Sequence, residues 1–308
     1  MTASCLTCLR PVLGEGRHHP RCARRLFGSD VAPRLDLRES EMQTVALATI
    51  GRSSLAGVQR KISLGLHAER RTLRFETSGG RYILKPQAAE FVALPENEHL
   101  TMELARQFGL AVPDTTLLEL TDGTLAYVVT RFDRPPKGGK LRQEDFCQLR
   151  LLPPTSKYDG TAIDCASVIR LCSAEPGADL FRLFETFVFA FWIGNGDMHQ
   201  KNLSLLADHE GRHLLSPVYD QVCTALYPGL DSRLGLPLAA DDRRTNRAAW
   251  LRFANACEIP ERAAGRVLAR PMASLRAAAA TVERSYLPED LRARYRAVLE
   301  ARAKAFPE

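Results

Sequence analysis

The chain has 308 residues, 45% hydrophobic and 25% charged, enough apolar material for one large domain or two lobes with a real core. No apolar run approaches the roughly 18 residues that span a bilayer, and residues 1–25 lack the apolar stretch of a secretory signal, so a cytoplasmic protein with no membrane partner is expected. The net charge of +6 comes from arginines spread along the chain, not from a basic arm, which argues against a direct sequence-reading DNA binder.

Residues 1–28 are rich in Cys, His and Arg. Cys5-x₂-Cys8 and His19-x₂-Cys22, separated by ten residues, have the spacing of a Cys₃His site for tetrahedral Zn²⁺. His18 is an alternative ligand, but His19 leaves two residues inside the second pair. Four protein ligands leave no open position for water, so such a zinc is structural. Cys147, Cys165, Cys172, Cys223 and Cys257 are isolated in apolar or helical surroundings and read as reduced, buried, small hydrophobes.

A polar connector over 29–50, with a short helix from Glu39, leads to the loop Ser53–Lys61, where Gly57 lets the backbone approach a phosphate. Ile62–Leu66, Thr72–Phe75, Arg81–Lys85, Thr115–Leu120 and Thr124–Thr130 read as strands, with turn residues at Ser78-Gly79-Gly80 and Thr121-Asp122-Gly123. Between them, Leu100, Leu104, Ala105 and Phe108 give an apolar face to a helix over Glu96–Phe108, stopped by Gly109. Lys85 ends its strand, where it can pair with phosphates, and Glu96 or Glu98 of the following helix could hold it; the competing reading is an edge-strand lysine in water. Arg134–Lys140 is a linker by composition.

Beyond the linker the chain turns helical. Phe181–Ile193 is apolar nearly all round, so that helix is buried. It runs into Gly194–Asn202, after which Leu203–Leu206 and His213–Ser216 form a hairpin and Tyr219-Asp220 follow. Residues 246–306 read as helices broken at Pro260, Pro271 and Pro288. Domain limits of 1–28 (zinc segment), 29–137 (β-rich lobe) and 138–308 (helical lobe) are expected, with a nucleotide cleft between the lobes.

Asp197 and Asn202 stand five positions apart, the separation of the catalytic Asp and metal-binding Asn in protein kinases, and Asp220 supplies a second metal-binding acid. A phosphoryl donor brings several negative charges, so Mg²⁺ has to be held by oxygen ligands beside the transferring group. The attacking hydroxyl needs a carboxylate to orient it and take its proton. His199 has either a phosphate-contacting or a structural role.

In this order, S-L-A-G-V-Q-R-K (54–61), Y-I-L-K-P (82–86), E-N-E-H-L-T-M-E-L-A (96–105), R-F-D-R (131–134), G-N-G-D-M-H-Q-K-N (194–202) and P-V-Y-D (217–220) resemble the HipA family of bacterial toxin kinases. The resemblance covers roughly residues 50–300 and implies an α+β, bilobal, protein-kinase-like fold. It implies an ATP-dependent serine/threonine kinase of a toxin–antitoxin system that phosphorylates an aminoacyl-tRNA synthetase and halts translation. On the matching positions, Asp197 is the base, Asn202 and Asp220 hold Mg²⁺, and Lys85 meets the ATP phosphates. Phe132 lies at the adenine hinge, His199 and Tyr219 near the nucleotide, and Ser54 is the autophosphorylated serine. The implied partners are a HipB-like antitoxin and a separate HipS-like small subunit, because the chain resembles the short HipT type without the N-terminal subdomain; DNA is then reached only through the antitoxin. Two departures stand out: Thr130 precedes Arg131-Phe132 where the family commonly has Glu, and Ala56 replaces a second phosphorylatable serine found in some short members. Two other readings remain open: a small-molecule phosphotransferase, and a catalytically weak nucleotide-binding regulator working with an antitoxin.

Overall fold

The structure is a computed structural model that describes residues 3–14, 16–35, 61–67, 69, 71–76, 79–135, 138–230, 233–240 and 245–306. Ser54, Gly57 and the helix expected from Glu39 lie outside these residues. The chain forms two compact units: 1–103 with 113–140 and 281–288, and 104–112 with 141–280 and 289–308.

The first unit is sheet-rich. Its strands are β1 (Arg34–Leu35), β2 (Ile62–His67), β3 (Thr72–Phe75), β4 (Tyr82–Lys85), β5 (Thr115–Glu119) and β6 (Leu125–Thr130). They form one six-stranded sheet in the order β1-β3-β2-β4-β6-β5, antiparallel except for the β1–β3 pair. The five strands expected from alternation are present, and the two-residue β1, too short for a pattern, is additional.

Alternation divides the sheet into two faces. Ile62, Leu64, Leu73, Tyr82, Leu84, Leu118, Ala126 and Val128 pack together with Leu26 and Phe27 of helix Pro20–Phe27. Tyr82 donates its hydroxyl to Leu26 O at 2.8 Å, and its ring lies 5.5 Å from that of Phe27. That helix stops at Gly28, whose φ of +72° gives the left-handed cap that glycine adopts without strain. The Cys-rich segment ahead of it covers the β5 edge: Leu117 N donates to Leu6 O at 2.9 Å, and Thr7 and Thr116 exchange a 2.9 Å hydroxyl bond. Residues 281–288 hold the same segment, Arg284 bonding Leu9 O and Tyr286 bonding Ser4 O. The Cys-rich segment is thus woven into the sheet-rich unit and closes one face of its sheet. The opposite face carries Lys85 and Tyr127 and meets helix Leu94–Phe108 through Glu98.

The second unit is mainly helical. Helix Pro176–Trp192 starts at Pro176, five residues before the expected Phe181, because proline suits the first turn, where its missing N–H costs nothing. From Leu183 to Trp192 every residue is buried. Phe184 and Phe187 pack on Phe253, Phe191 on Trp250 and Phe306, and Phe189 on Phe108. A small sheet, β7 (Gln143–Asp145), β8 (Ser204–Ala207) and β9 (His213–Leu215), follows the order β7-β8-β9. The β8–β9 hairpin matches expectation; β7 has no apolar residue to announce it and joins through its backbone.

Two expectations fail here. Helix Glu261–Glu283 runs through Pro271. Ala264, Val267, Leu268, Pro271, Ala278 and Val282 keep one buried face on both sides of the proline, and that burial outweighs the lost hydrogen bond. Cys172, the last residue of helix Ala162–Cys172, is exposed, whereas Cys147, Cys165, Cys223 and Cys257 are buried. No helix among the described residues is long and apolar enough to cross a membrane.

Phe27→Ala removes a buried ring from the back of the sheet and is expected to cost about 3–5 kcal/mol. Denaturant unfolding checks it.

Candidate active site

The apolar helix delivers the chain to Gly194 with φ +69°; a Cβ there would also lie 2.9 Å from Ala225 Cβ and 3.0 Å from Val298 Cγ1, so only glycine fits. The loop that follows is held by side chains. Thr224 Oγ1 accepts from Gly196 N at 2.7 Å and donates to Gly194 O at 3.0 Å. Asn195 accepts from Asp197 N at 2.9 Å and donates to Gln221 Oε1 at 3.1 Å. Asn202 donates its amide to Asp197 O at 2.9 Å, closing the loop and leaving Oδ1, a hard oxygen donor suited to Mg²⁺, without a protein partner among the described residues. Gly235 lies against the loop, where a Cβ would come within 2.7 Å of both Met198 O and Gly196 O.

Tyr219, which precedes Asp220, donates to Lys201 O at 2.9 Å and meets Ser204 Oγ at 2.5 Å, so its side chain reaches the backbone next to Asn202. Burial pushes its hydroxyl pKa up, which keeps it a donor. Asp220 itself sits in the left-handed region, φ +54°, uncommon outside glycine but one that Asp adopts more readily than most residues. His199 is buried with no hydrogen bond to either ring nitrogen among the described residues; burial depresses its pKa to about 4, so the ring is neutral at physiological pH. Two such orphaned nitrogens fit a site that receives a polar ligand.

In the sheet-rich unit Lys85 is far from an edge. β4 lies between β2 and β6, the lysine side chain is 2% exposed, and Nζ meets Glu98 Oε1 at 2.5 Å and the Tyr127 ring at 5.5 Å. Glu98 is the partner; Glu96 is not, and its Oε2 is buried with no hydrogen-bond partner among the described residues, while burial raises the pKa of its carboxyl. Phe132 is half-buried in the turn after β6, beside the Arg131–Asp133 pair, whose Nη2···Oδ2 distance is 2.7 Å.

Cys5, Cys8, His19 and Cys22 present ligand atoms that all lie within 4.8 Å of one another. Cys8 Sγ and Cys22 Sγ are 3.3 and 3.9 Å from His19 Nδ1. Metal–sulfur bonds of about 2.3 Å and metal–nitrogen bonds of about 2.0 Å in a tetrahedron put S and N about 3.6 Å apart. His19 Nε2 bonds Pro11 O at 2.9 Å, the outer contact that orients a ligating imidazole, and His19 N donates to Cys5 Sγ at 3.4 Å. His18 is engaged elsewhere, with Thr116 at 3.1 Å. A hydrogen bond from Cys8 lowers the Cys5 thiol pKa, and the same contact raises that of Cys8.

Sequence reading did not find Thr224, Gln221 or Gly235, nor Lys157 and Tyr158, which meet Asp197 from outside the loop: Tyr158 OH donates to Asp197 Oδ1 and Lys157 Nζ lies 4.0 Å from it. Nothing in their spacing reveals them, since each acts from a separate loop.

A family model described as the HipA-like C-terminal domain matches residues 53–279. The chain belongs to this family. Two relatives from Sinorhizobium fredii (strain NBRC 101917 / NGR234), named "Putative kinase Y4mE" and "Putative kinase Y4dM", are 35% identical over 193 residues (60% of this chain) and 36% over 191 residues (57%). A Haemophilus influenzae protein named "Putative kinase" is 29% identical over 225 residues, 68% of this chain. The chain spans 46% of each Sinorhizobium protein and 64% of the Haemophilus one. Among solved structures, a chain of the Shewanella oneidensis MR-1 toxin–antitoxin complex of HipA, HipB and operator DNA has a TM-score of 0.69 at 23% identity, over 82% of this chain and 65% of that one. The Helicobacter pylori proinflammatory kinase CtkA has a TM-score of 0.55 at 16% identity, over 73% and 86%. At these identities the likeness is one of fold, and it matches the sheet-rich and helical, kinase-like architecture expected from the motifs.

Removing Glu98 takes the carboxylate at 2.5 Å away from a buried ammonium, so Glu98→Ala is expected to cost about 3–5 kcal/mol. Glu96→Ala, which removes a carboxylate with no cation partner among the described residues, is expected to change stability far less. Chemical denaturation of the two variants separates the candidates.

Proposed function

We propose that this HipA-family chain is an ATP-dependent, Mg²⁺-requiring kinase that phosphorylates a serine or threonine of a protein and acts as the toxin of a toxin–antitoxin pair. The observation that carries the reading is the loop that fixes Asp197 and Asn202 together through the 2.9 Å bond from Asn202 to Asp197 O. Asp197 orients the acceptor hydroxyl and takes its proton. Asn202 and Asp220 would hold the metal, and Lys85, oriented by Glu98, would meet donor phosphates. His199, Tyr219, Phe132 and Gly57 complete the nucleotide site. Bound Mg-ATP supplies the phosphoryl group and its charge neutralisation.

The kinase names of the relatives and the fold shared with CtkA support a phosphotransferase. The fold shared with a chain of the Shewanella complex of HipA, HipB and operator DNA supports an antitoxin partner of HipB type, with DNA contacted through it; the resemblance to the short HipT type favours a HipS-like subunit as a further partner. The family resemblance favours an aminoacyl-tRNA synthetase as substrate. Ser54 is the autophosphorylation site in this reading: a phosphate adds roughly −1.5 to −2 charges, which a loop lying against ATP phosphates repels.

Asp197→Asn is expected to abolish transfer while ATP still binds; Asp220→Asn is expected to weaken Mg-ATP binding as well. Wild type incubated with Mg-ATP gains one phosphate at Ser54 and Asp197→Asn gains none, read by mass spectrometry. Phosphopeptides from a bacterial lysate treated in parallel identify the substrate, and near-native transfer by Asp197→Asn would refute the kinase reading.

We further infer that Cys5, Cys8, His19 and Cys22 bind one structural Zn²⁺. Its effect extends beyond the segment, because the helix that it anchors contributes Leu26 and Phe27 to the sheet core. Elemental analysis of protein purified without added zinc is expected to give about one equivalent. Cys5→Ser with Cys8→Ser is expected to remove it and to lower the melting temperature.

A further inference from the structure

Asp197 is met asymmetrically. Tyr158 OH donates to Oδ1, Lys157 Nζ stands 4.0 Å from Oδ1, and His199 Nε2 stands 3.8 Å from Oδ1. Among the described residues no hydrogen bond or ion pair reaches Oδ2. The hydroxyl of Tyr158 therefore fixes the rotation of the carboxylate and leaves one oxygen open to a proton from elsewhere.

Neither residue is there by chance of the surface. Gln200, buried within the loop, donates its backbone N to Lys157 O at 3.1 Å and its side-chain amide to Asp159 O. Arg150 bonds both Gln200 Oε1, at 2.7 Å, and Asp159 O, at 3.2 Å. The 157–159 backbone is thus strapped to the catalytic loop itself. The Tyr158 ring stands edge-on to His199 at 5.2 Å and remains 42% exposed, so it adds little to the core. Burial and then the bond to Asp197 push its hydroxyl pKa up, which keeps it a donor. The Lys157 side chain is 17% exposed, and its ammonium lies 4.9 Å from the Tyr158 ring centroid. At 4.0 Å from Asp197 it is held near the base without being in hydrogen-bond contact with it, so its donors remain available to another anion.

We propose that Lys157 and Tyr158 complete the phosphoryl-transfer centre from outside the catalytic loop, Tyr158 as the positioning residue of the general base and Lys157 as the cation that meets the transferring group. The proposal rests on the kinase reading. In the step, the acceptor hydroxyl oxygen forms a bond to the γ-phosphorus, and the bond from that phosphorus to the β,γ-bridging oxygen breaks. ADP leaves with the electron pair, and the acceptor proton passes to Asp197 Oδ2. Tyr158 keeps Oδ1 occupied throughout. Lys157 offsets charge on the equatorial phosphoryl oxygens, the element of catalysis on which such transfers chiefly depend.

The test compares Tyr158→Phe, Lys157→Met, Lys157→Arg and Asp197→Asn in the full chain with Mg-ATP. ADP release and incorporated phosphate give the rate, together with KM for ATP and the melting temperature. Tyr158→Phe is expected to lower kcat roughly 10-fold or more. Lys157→Met is expected to lower it about 100-fold, with partial recovery in Lys157→Arg. KM for ATP and the melting temperature stay near wild type in all three. If Tyr158→Phe and Lys157→Met turn over like wild type while Asp197→Asn is dead, the inference fails and the kinase reading stands. If rate and melting temperature fall together and Lys157→Arg does no better than Lys157→Met, the pair is structural and the inference fails. Wild-type turnover by Asp197→Asn would overturn the kinase reading and this inference with it.

Discussion

A buried apolar helix that ends in a polar loop has to satisfy the loop's backbone groups internally, since water does not reach them. The segment after Trp192 meets this constraint with very few side chains. Thr224 serves two backbone groups at once, Asn195 bridges Asp197 N to Gln221, and Asn202 returns to Asp197 O. Four of these bonds hold backbone atoms of Gly194, Gly196 and Asp197 itself. The loop backbone is therefore held for a reason unrelated to chemistry, and the Tyr158 hydroxyl then sets the rotation of the Asp197 carboxylate. The glycines obey the same constraint: Gly194 turns where a side chain would strike Ala225 and Val298, and Gly235 lets a second backbone close over the loop.

The sheet-rich unit solves a different problem, a cation inside a core. Lys85 sits on a central strand, where desolvating an ammonium costs several kcal/mol unless a carboxylate accompanies it. Glu98 is that carboxylate, and alternation along β4 decides where each side chain goes: Tyr82 and Leu84 take the apolar face, Lys85 the other. The apolar face needs a cover, and helix Pro20–Phe27 provides it. The four Cys and His side chains gather at the start of that helix, so a feature that looks like an appended tag is part of what shields the sheet behind the lysine.

Much of this was legible in the chain itself. The five longer strands, the helix between them and the buried helix before Gly194 follow from periods of 2 and 3.6, which report local geometry alone, whereas helix Pro20–Phe27 was not foreseen. The spacing of Asp197 and Asn202, and of the two Cys/His pairs, was equally readable, because ligands on one short loop are constrained by covalent distance. Strands β1 and β7 carried no such signal, since two or three residues hold no period, and Pro271 misled because burial on either side of it outweighed a local rule.

Tertiary structure alone decided the rest. It chose Glu98 over Glu96, by a rotation of about 100° per residue that sequence neighbours do not reveal, and it engaged His18 with Thr116. It brought Lys157 and Tyr158 to Asp197 from some forty residues away, and Thr224 and Gly235 from the far side of the hairpin. Pattern along a chain determines which elements form and what chemistry they carry. Which side chains meet is fixed by packing, where a contact depends on the placement of every element between the two partners.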